Sequence, residues 1–271
     1  MTESLQAAVM GIVEGLTEFL PVSSTGHLIL AGRVIGFERT VGDDFAKAFD
    51  VVIQIGAILA VVVAYPRRFA GLADFRGQNG FRGLRGIGLL LLTTLPALVF
   101  GLLLHKPIKA YLFSPATVAV GLALGAVWIL VMERRRDHAV IASVDGLTWR
   151  VALAVGFFQC IAMWPGISRS AATILGGMMV GLDRRTATEY SFFAAVPVLA
   201  AAAAFDFIRS YDTIDPERMK LLAIGLVVSF FSAWAAVKWL VHFVSRHKLT
   251  VFAWYRLALA AVVVGLLWWG R

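Results

Sequence analysis

Six uninterrupted apolar runs constrain the fold of this chain more than any other feature of its sequence. Each run is about 17–19 residues long, and an α-helix of that length covers roughly 25–28 Å, close to the hydrocarbon thickness of a bilayer. The runs lie at about 49–65, 87–104, 115–132, 189–205, 220–237 and 251–269. They predict an all-α integral membrane protein with six transmembrane helices.

The composition agrees with this prediction. The chain is 59% hydrophobic and 15% charged, whereas soluble domains average about 25% charged residues. Its net charge of +8 fits basic loops that set membrane topology and meet anionic lipid headgroups. No basic stripe with interleaved aromatic residues occurs, so we expect membrane lipids and no nucleic acid as partners.

Two further apolar regions, 5–30 and 151–182, are interrupted by proline, by several glycines and by clusters of polar residues. A helix exposed to lipid along its whole length does not tolerate so many interruptions. Broken helices that face protein or a water-filled cavity do tolerate them. We therefore predict a re-entrant helix pair in each of these two regions.

The two interrupted regions also resemble each other. GIVEGLTEFLPVSST (Gly11–Thr25) aligns with GFFQCIAMWPGISRS (Gly156–Ser170) at a fixed offset. The matched positions are Gly11 with Gly156, Glu14 with Gln159, and Ser23 with Ser168. Each region precedes three apolar runs, and an odd number of spans per unit inverts the second unit, as in many transporter folds. We predict one membrane domain, 1–271, with inverted repeats at approximately 1–135 and 150–271.

Basic residues are concentrated in four connecting segments, 66–86, 133–150, 181–188 and 238–250. Six spans and two re-entrant pairs put all four segments on one side of the membrane. The positive-inside rule assigns that side to the cytoplasm. Both termini then face outwards, and the two re-entrant pairs enter from opposite faces, so that their tips meet near the middle of the membrane.

Glu14 and Glu18 are four residues apart, so on a helix they share one face. Like charges at this spacing repel, and each charge is expensive in a membrane. The pair therefore binds a cation, shares a proton or points into water. Mg²⁺ or Ca²⁺ is the natural hard partner for carboxylates. The alternative is a surface helix end with two solvated glutamates, against which the apolar flanking residues argue.

After Pro21 the chain reads SSTGH, which is Ser23–His27. Hydroxyls beside a histidine suit nucleophile activation or proton transfer. They also suit the N-cap of the second helix of the pair. Taken alone, this stretch favours a cap and a turn over a catalytic site.

The second polar box is PGISRSAAT, Pro165–Thr173. Pro-Gly predicts a turn, and the backbone N–H groups of the helix that follows favour anions. Arg169 adds a planar, permanently charged fork that matches phosphate. The hydroxyls of the box are those of Ser168, Ser170 and Thr173. A structural pairing of Arg169 with Glu14 or Glu18 is the alternative. Carboxylates, a candidate cation, hydroxyls and an arginine are together the parts that phosphoryl transfer uses.

EGLTEFLPVSSTGH (Glu14–His27) and PGISRSAAT resemble the motifs of the bacterial undecaprenyl-diphosphatase family of the bacitracin-resistance type, and the resemblance covers nearly the whole chain. Ala171 stands where that family often has glycine. The resemblance implies hydrolysis of undecaprenyl diphosphate to the monophosphate and inorganic phosphate, which recycles the lipid carrier for peptidoglycan synthesis and confers bacitracin resistance. It also implies a dependence on a divalent cation and an active site on the periplasmic side of the bacterial inner membrane. The implied fold has six spans, two re-entrant pairs and an inverted repeat.

The resemblance also implies roles for residues of this chain. Glu14 and Glu18 would hold the cation or act as base, and Ser24 and His27 are candidates for nucleophile and proton shuttle. The diphosphate would be bound by Ser23, Thr25, Ser168, Arg169, Ser170 and Thr173. Whether Ser24, His27 or water attacks phosphorus stays open, as does homodimer formation. The competing function is that of a polyprenyl-phosphate transporter or flippase, because inverted repeats with broken helices are typical of transporters.

Three other polar residues lie within predicted spans. Asp50 and Gln54 are four residues apart, which favours interhelical hydrogen bonds, with lining of the active cavity as the alternative. Arg256 lies about a turn and a half into the last run, and we expect its side chain to snorkel to the headgroups.

Overall fold

The computed structural model describes residues 1–76, 79–112, 114–134, 139–210 and 218–269. These residues are helical, apart from loops and one isolated bridge between Ile141 and Leu182. The helices are α1 (Glu3–Thr17), α2 (Ser24–Ile35), α3 (Phe37–Val41), α4 (Asp43–Ala64), α5 (Pro66–Leu72), α6 (Gly83–Tyr111), α7 (Pro115–Arg134), α8 (Trp149–Ile161), α9 (Arg169–Met179), α10 (Arg184–Ser210), α11 (Met219–Val244) and α12 (Thr250–Trp269), with a 3₁₀ turn at Val144–Gly146.

Six of these helices, α4, α6, α7, α10, α11 and α12, are long and apolar enough to cross a membrane. The prediction of six spans is therefore confirmed. Helix α4 begins at Asp43, earlier than its apolar run, and Asp43 and Asp44 occupy its first turn. Carboxylates stabilise a helix N-terminus, so hydropathy alone places the start of this helix too late.

The two interrupted regions each form a pair of short helices joined by a break. The first hairpin consists of α1, a break at 18–23, and α2; the second consists of α8, a break at 162–168, and α9. These helices have 11–15 residues, which corresponds to about 17–22 Å and is less than a bilayer core. Gln6 Nε2 donates to the Ile35 carbonyl at 2.7 Å. The start of α1 therefore lies beside the end of α2.

Aligned glycines dock each hairpin on a spanning helix. A Cβ on Gly11 would lie 2.7 Å from the Gly225 carbonyl oxygen of α11, and one on Gly156 would lie 2.6 Å from the Thr93 carbonyl oxygen of α6. Such contacts require glycine, because the two backbones approach more closely than any side chain allows. The repeated glycine in the sequence therefore marks a repeated packing contact.

The four basic segments contact one another at one end of the helix bundle. The contacts are those of Arg68 with Asp145 (2.8 Å), Ile141 with Leu182, Arg184 with Glu133 (2.8 Å), and the Leu249 amide with Glu133 (2.8 Å). The second hairpin ends there too, because the Gly181 carbonyl accepts from the amides of Val140 and Ile141. These contacts agree with the prediction that all four basic segments lie on one side of the membrane. Arg135 and Arg136 of the second segment lie outside the described residues.

Asp145 organises this end of the bundle from outside the spanning segments. Burial opposes its ionisation, but the Phe81 amide and the Arg68 guanidinium donate to the carboxylate and hold its pKa below the usual value. The loop after α5 and the 3₁₀ turn are thereby joined through one carboxylate.

The prediction that Arg256 snorkels to the headgroups is wrong. Its side chain is fully buried, and within the described residues its guanidinium donates only to backbone carbonyls. Glycines on α7 leave room for it, since a Cβ on Gly125 would lie 1.9 Å from Arg256 Nη2. The space needed to bury the arginine is supplied by a different helix, which the sequence of α12 does not reveal.

Candidate active site

The breaks of the two hairpins touch each other beside a small cavity. Ser170 Oγ of the second hairpin donates to the Leu20 carbonyl of the first at 2.7 Å. The cavity has a volume of about 140 Å³. Of the predicted site residues, its wall contains Glu18, Ser23, Ser24, Thr25, Ser168 and Arg169. The structure therefore brings residues of both polar boxes to one place.

Glu18 connects the two hairpins chemically. Its Oε2 accepts a hydrogen bond from Ser24 Oγ at 2.6 Å, and its Oε1 forms an ion pair with Arg169 Nη2 at 3.2 Å. The two charged side chains are 6% and 12% exposed respectively, so little solvent screens them. An acid, a hydroxyl and a guanidinium thus meet within hydrogen-bond reach on the cavity wall.

Arg169 has one donor that remains unused. Nη1 donates to the Ser191 carbonyl at 3.2 Å, and Nη2 serves the carboxylate and main-chain carbonyl of Glu18. The Nε atom is buried and has no hydrogen-bond partner among the described residues. A buried donor without a partner is costly. The pairing with Glu18, one of the predicted alternatives, is present together with this free donor.

Two serines give the breaks their shape. Ser23 and Ser168 have φ angles of 73° and 75°, and they are the only non-glycine residues with positive φ in the described part of the chain. A backbone conformation in so sparsely populated a region costs about 1–3 kcal/mol for a residue with a Cβ. It places Ser24 and Arg169 as the first residues of α2 and α9. Such strain often occurs at functional sites.

Of the hydroxyl residues in the second box, Ser168 lies on the cavity wall, whereas Ser170 and Thr173 do not. Ser168 Oγ accepts from the Ala171 amide as an N-cap, and it lies 3.0 Å from Ser170 Oγ. Thr173 Oγ1 lies 2.6 Å from Ser191 Oγ and donates to the Arg169 carbonyl at 2.9 Å. Ser170 and Thr173 are therefore placed to brace the start of α9.

His27 also lies away from the cavity wall. Its Nδ1 is 2.7 Å from the Ser23 carbonyl, and its Nε2 is 2.6 Å from the Tyr255 hydroxyl, against whose ring it stacks. A carbonyl can only accept, so Nδ1 carries a proton, and Nε2 of the neutral ring accepts from Tyr255. The base in contact with Ser24 is Glu18.

Glu14 and the polar residues of α4 lie next to this site. Glu14 is 1% exposed, and Glu18, Asp50 and Arg169 are the charged groups that act on it electrostatically. Gln54 lies on the cavity wall, and Asp50 Oδ1 is buried without a partner. Among the described residues, the side chains of Asp50 and Gln54 form no interhelical hydrogen bond, and Gln54 instead lines the cavity.

The carboxylates near the cavity decide which kind of divalent-cation site is possible there. Within the described ranges, no group of three or more His, Cys, Asp or Glu side chains could hold a metal ion. Mg²⁺ commonly binds through one or two carboxylates plus phosphate oxygens of the substrate. Glu18 on the cavity wall, with Glu14 nearby, fits a cation shared with a substrate phosphate. This donor set does not fit one held by the protein alone.

Three supporting residues escape sequence reasoning. The Ser191 carbonyl accepts from Arg169, the Tyr255 hydroxyl hydrogen-bonds to His27, and the Arg256 guanidinium donates to a carbonyl of each break. All three lie on spanning helices, Ser191 on α10 and the other two on α12. No local motif marks them.

Residues 7–262 match the family model described as "Bacitracin resistance protein BacA". The chain is 52% identical over 263 residues to an undecaprenyl-diphosphatase of Nitratidesulfovibrio vulgaris, an alignment that covers 97% of this chain and 98% of the relative. It is 53% identical over 270 residues to an undecaprenyl-diphosphatase of Oleidesulfovibrio alaskensis, covering 99% and 100%. An undecaprenyl-diphosphatase 2 of Rhodospirillum rubrum is 46% identical over 266 residues, covering 98% and 96%.

Proposed function

The chain belongs to the bacitracin resistance protein family BacA, and we propose that it is an undecaprenyl-diphosphatase. It hydrolyses undecaprenyl diphosphate to undecaprenyl phosphate and inorganic phosphate. The observation that carries this proposal is Glu18, which contacts Ser24 of its own hairpin and Arg169 of the other on one cavity wall. Phosphoryl transfer depends on such positioning and charge stabilisation.

Arg169 binds the terminal phosphate in this account. Its buried Nε has no partner in the described part of the chain, and its Nη2 donates to Glu18. A phosphate oxygen can therefore accept from Nε, and a second one can replace Glu18 as the acceptor of Nη2. The planar guanidinium suits two phosphate oxygens at once. Charge that develops on these oxygens in the transition state is stabilised in a site with little water.

Ser24 is the nucleophile that the contacts favour. Its Oγ attacks the terminal phosphorus while its proton passes to Glu18 Oε2, 2.6 Å away. The bond between phosphorus and the bridging oxygen breaks, and undecaprenyl phosphate leaves with that oxygen. Glu18 returns the proton to the departing phosphate.

Water completes the reaction. It attacks the phosphoserine and gives a proton to Glu18, the bond between phosphorus and Ser24 Oγ breaks, and Ser24 takes the proton back. Inorganic phosphate is released, and both side chains return to their starting state. One carboxylate thus serves as base and as acid in both steps.

A divalent cation, Mg²⁺ or Ca²⁺, would be held by Glu14 and Glu18 together with substrate oxygens. Bound there, it would neutralise negative charge on the diphosphate. Ser23, Thr25 and Ser168 line the cavity, where their hydroxyls can bind phosphate oxygens. His27 lies outside the wall and positions α2 through the Ser23 carbonyl.

The membrane placement is also part of the proposal. The two hairpins are re-entrant pairs of an inverted repeat, and the end that carries the four basic segments faces the cytoplasm of a bacterial inner membrane. The first hairpin lies at the opposite end, since α4 separates the two ends, and so the cavity opens towards the periplasm. In this position the enzyme recycles the lipid carrier for cell wall synthesis and confers bacitracin resistance.

The function is tested by phosphate release from a C55 polyprenyl diphosphate by purified protein in detergent. The wild type should release phosphate, and a chelator should suppress the release. Glu18→Ala and Arg169→Ala should abolish it, whereas Glu3→Gln, at an exposed residue, should not. Lipid transport in vesicles without phosphate release would instead favour a flippase.

The nucleophile is tested by rapid quench with substrate labelled in the terminal phosphate. Label should appear on the peptide that contains Ser24 and should be absent in Ser24→Ala. A burst of phosphate without labelled protein would assign the attack to water. Label on His27 would contradict the contacts described above.

A further inference from the structure

Arg256 is a fully buried arginine of α12. All of its hydrogen bonds in the described part of the chain go to main-chain carbonyls. Its Nη1 donates to the Pro21 carbonyl at 3.1 Å, and its Nη2 donates to the Gly166 carbonyl at 2.8 Å. Its Nε and Nη2 also donate to the carbonyls of Leu122 and Gly121, both at 3.2 Å. No carboxylate forms an ion pair with it in the described part of the chain. A charge buried in this way is expensive unless its environment is arranged around it.

Two of these acceptors occupy matching places in the two breaks. Pro21 lies two residues before Ser23, and Gly166 lies two residues before Ser168, the two serines with positive φ. Carbonyls in a broken helix have no intrahelical partner and need another donor inside a membrane. One guanidinium supplies that donor to both breaks at once and thereby sets the distance between them.

The surroundings of Arg256 are shaped for this contact. A Cβ on Gly125 would lie 1.9 Å from Arg256 Nη2, and a Cβ on Gly121 would lie 2.4 Å from the Pro165 carbonyl oxygen. The two glycines of α7 therefore admit the guanidinium and the second break together. The rigid fork of arginine matches divergent acceptors in a way that the single ammonium of lysine does not.

Arg256 also differs from Arg169 in its charge balance. The charge of Arg169 is opposed by Glu18 at 3.2 Å, whereas Arg256 meets only neutral carbonyls. One of these acceptors, Gly166, is part of the cavity wall. A positive charge that is not paired, in a low dielectric, acts over a longer range on an anion in the cavity.

We propose that Arg256 is a positioning residue for diphosphate hydrolysis. It holds the two breaks at a fixed distance, which we call the lock, so that Ser24 and Arg169 both contact the same phosphate. Its unpaired charge favours anion binding in the cavity. The proposal rests on the proposed function for its kinetic part only. The lock concerns only the distance between the two hairpins, which does not depend on the reaction.

The kinetic test compares Arg256→Lys and Arg256→Met with Arg246→Lys and Arg246→Met, which change an exposed arginine of the loop before α12. Arg256→Lys keeps the charge but loses the fork, so kcat should fall by about 10²-fold while KM stays within about threefold, because small misplacements of reacting groups are costly. Arg256→Met loses the charge as well, so its KM should also rise, by about tenfold or more. The Arg246 variants should match the wild type.

An unchanged kcat in folded Arg256→Lys would overturn the proposal. So would a loss of activity that only follows the folded fraction, because a merely structural role lowers the amount of enzyme and not its kcat. If Arg256→Met does not yield folded protein, Arg256→Lys decides the question alone.

The lock is tested without activity by electron–electron distance measurements. Spin labels at Ile29→Cys on α2 and Met179→Cys on α9, both exposed positions, are introduced in a Cys160→Ser background, which removes the single native cysteine. Arg256→Lys should shift or broaden the distance distribution, and Arg246→Lys should leave it unchanged. An unchanged distribution in Arg256→Lys would refute the lock. A shifted distribution in a protein whose wild type releases no phosphate would refute the proposed function and leave the lock standing.

Discussion

The two hairpins share a backbone design but carry different chemistry. Both dock on a spanning helix through glycine, both break after a short first helix, and both enter the second helix through a serine with φ near 75°. Ser24 and Arg169 occupy the same place, the first residue of that second helix. Two similarly built hairpins thus hold a hydroxyl and a guanidinium on either side of one carboxylate.

The hairpins differ most clearly in their acids. The first has Glu14 and Glu18, whereas the matching positions of the second have Gln159 and Met163. Gln159 Nε2 donates to the Thr93 carbonyl of α6 at 3.4 Å, so this position has a structural contact in the second hairpin and an electrostatic one in the first. The two hairpins thus use similar packing contacts but carry different side chains, an acid and a hydroxyl on the first and a guanidinium on the second.

The largest effect is expected for Glu18→Gln, which removes the base while keeping the shape. The kcat should fall by about 10³-fold, in line with the contribution of a positioned general base. Glu189→Gln is the matched control, because Glu189 pairs with an exposed arginine, Arg185, at 3.0 Å and should leave phosphate release unchanged. A kcat within a few-fold of the wild type in Glu18→Gln would remove the acid of the first hairpin from the mechanism.

Arg169→Lys should reduce kcat/KM by about 10²-fold, because lysine keeps the charge but loses the fork and the free Nε donor. Arg185→Lys serves as its control. Steady-state phosphate release measures both variants. If lysine supports full activity, the second hairpin supplies charge alone and its geometry is unimportant.

Glu14→Gln makes the first hairpin match the second at this position. The cation concentration that gives half-maximal activity should rise by about tenfold, as is usual when support for a metal ligand is lost. The effect is measured by titrating Mg²⁺ and Ca²⁺ into chelator-treated enzyme. Gln159→Glu is the converse change, and it should lower the melting temperature without altering the cation titration. An unaltered titration in Glu14→Gln would separate this glutamate from the cation.

The smallest effects are expected for Ser23→Gly and Ser168→Gly. Glycine relieves a backbone strain of about 1–3 kcal/mol but loses entropy worth about 0.5–1 kcal/mol. Ser168 also caps the Ala171 amide, whereas Ser23 makes no such bond, and losing a cap costs about 1 kcal/mol. Ser168→Gly should therefore melt a few degrees below Ser23→Gly. Equal melting temperatures would show that the cap contributes nothing.

Much of this arrangement follows from the sequence. Run length predicts the six spans, and proline, glycine and polar clusters predict where the two hairpins break. The repeat pairs Ser23 with Ser168, which share the same unusual φ. Glu18, Ser24 and Arg169 are all predicted site residues, and they contact one another.

The supporting contacts could not be predicted. The position of Arg256 depends on glycines of α7 that lie more than a hundred residues earlier in the sequence, and no periodicity within α12 indicates them. Sequence proximity groups His27 with the hydroxyls, but in the structure its ring is turned towards Tyr255. The rotation of α9 that puts Ser170 and Thr173 behind Arg169 likewise depends on packing against α10.

The central claim is that one residue from each hairpin acts on the same phosphate. A double-mutant cycle on phosphate release tests it most directly, using the wild type, Glu18→Gln, Arg169→Lys and the double variant. We predict that the double variant is no more than about threefold slower than the slower single variant, because residues that act as a unit are not additive. Losses that multiply would contradict the claim, since they would mean that Glu18 and Arg169 act independently.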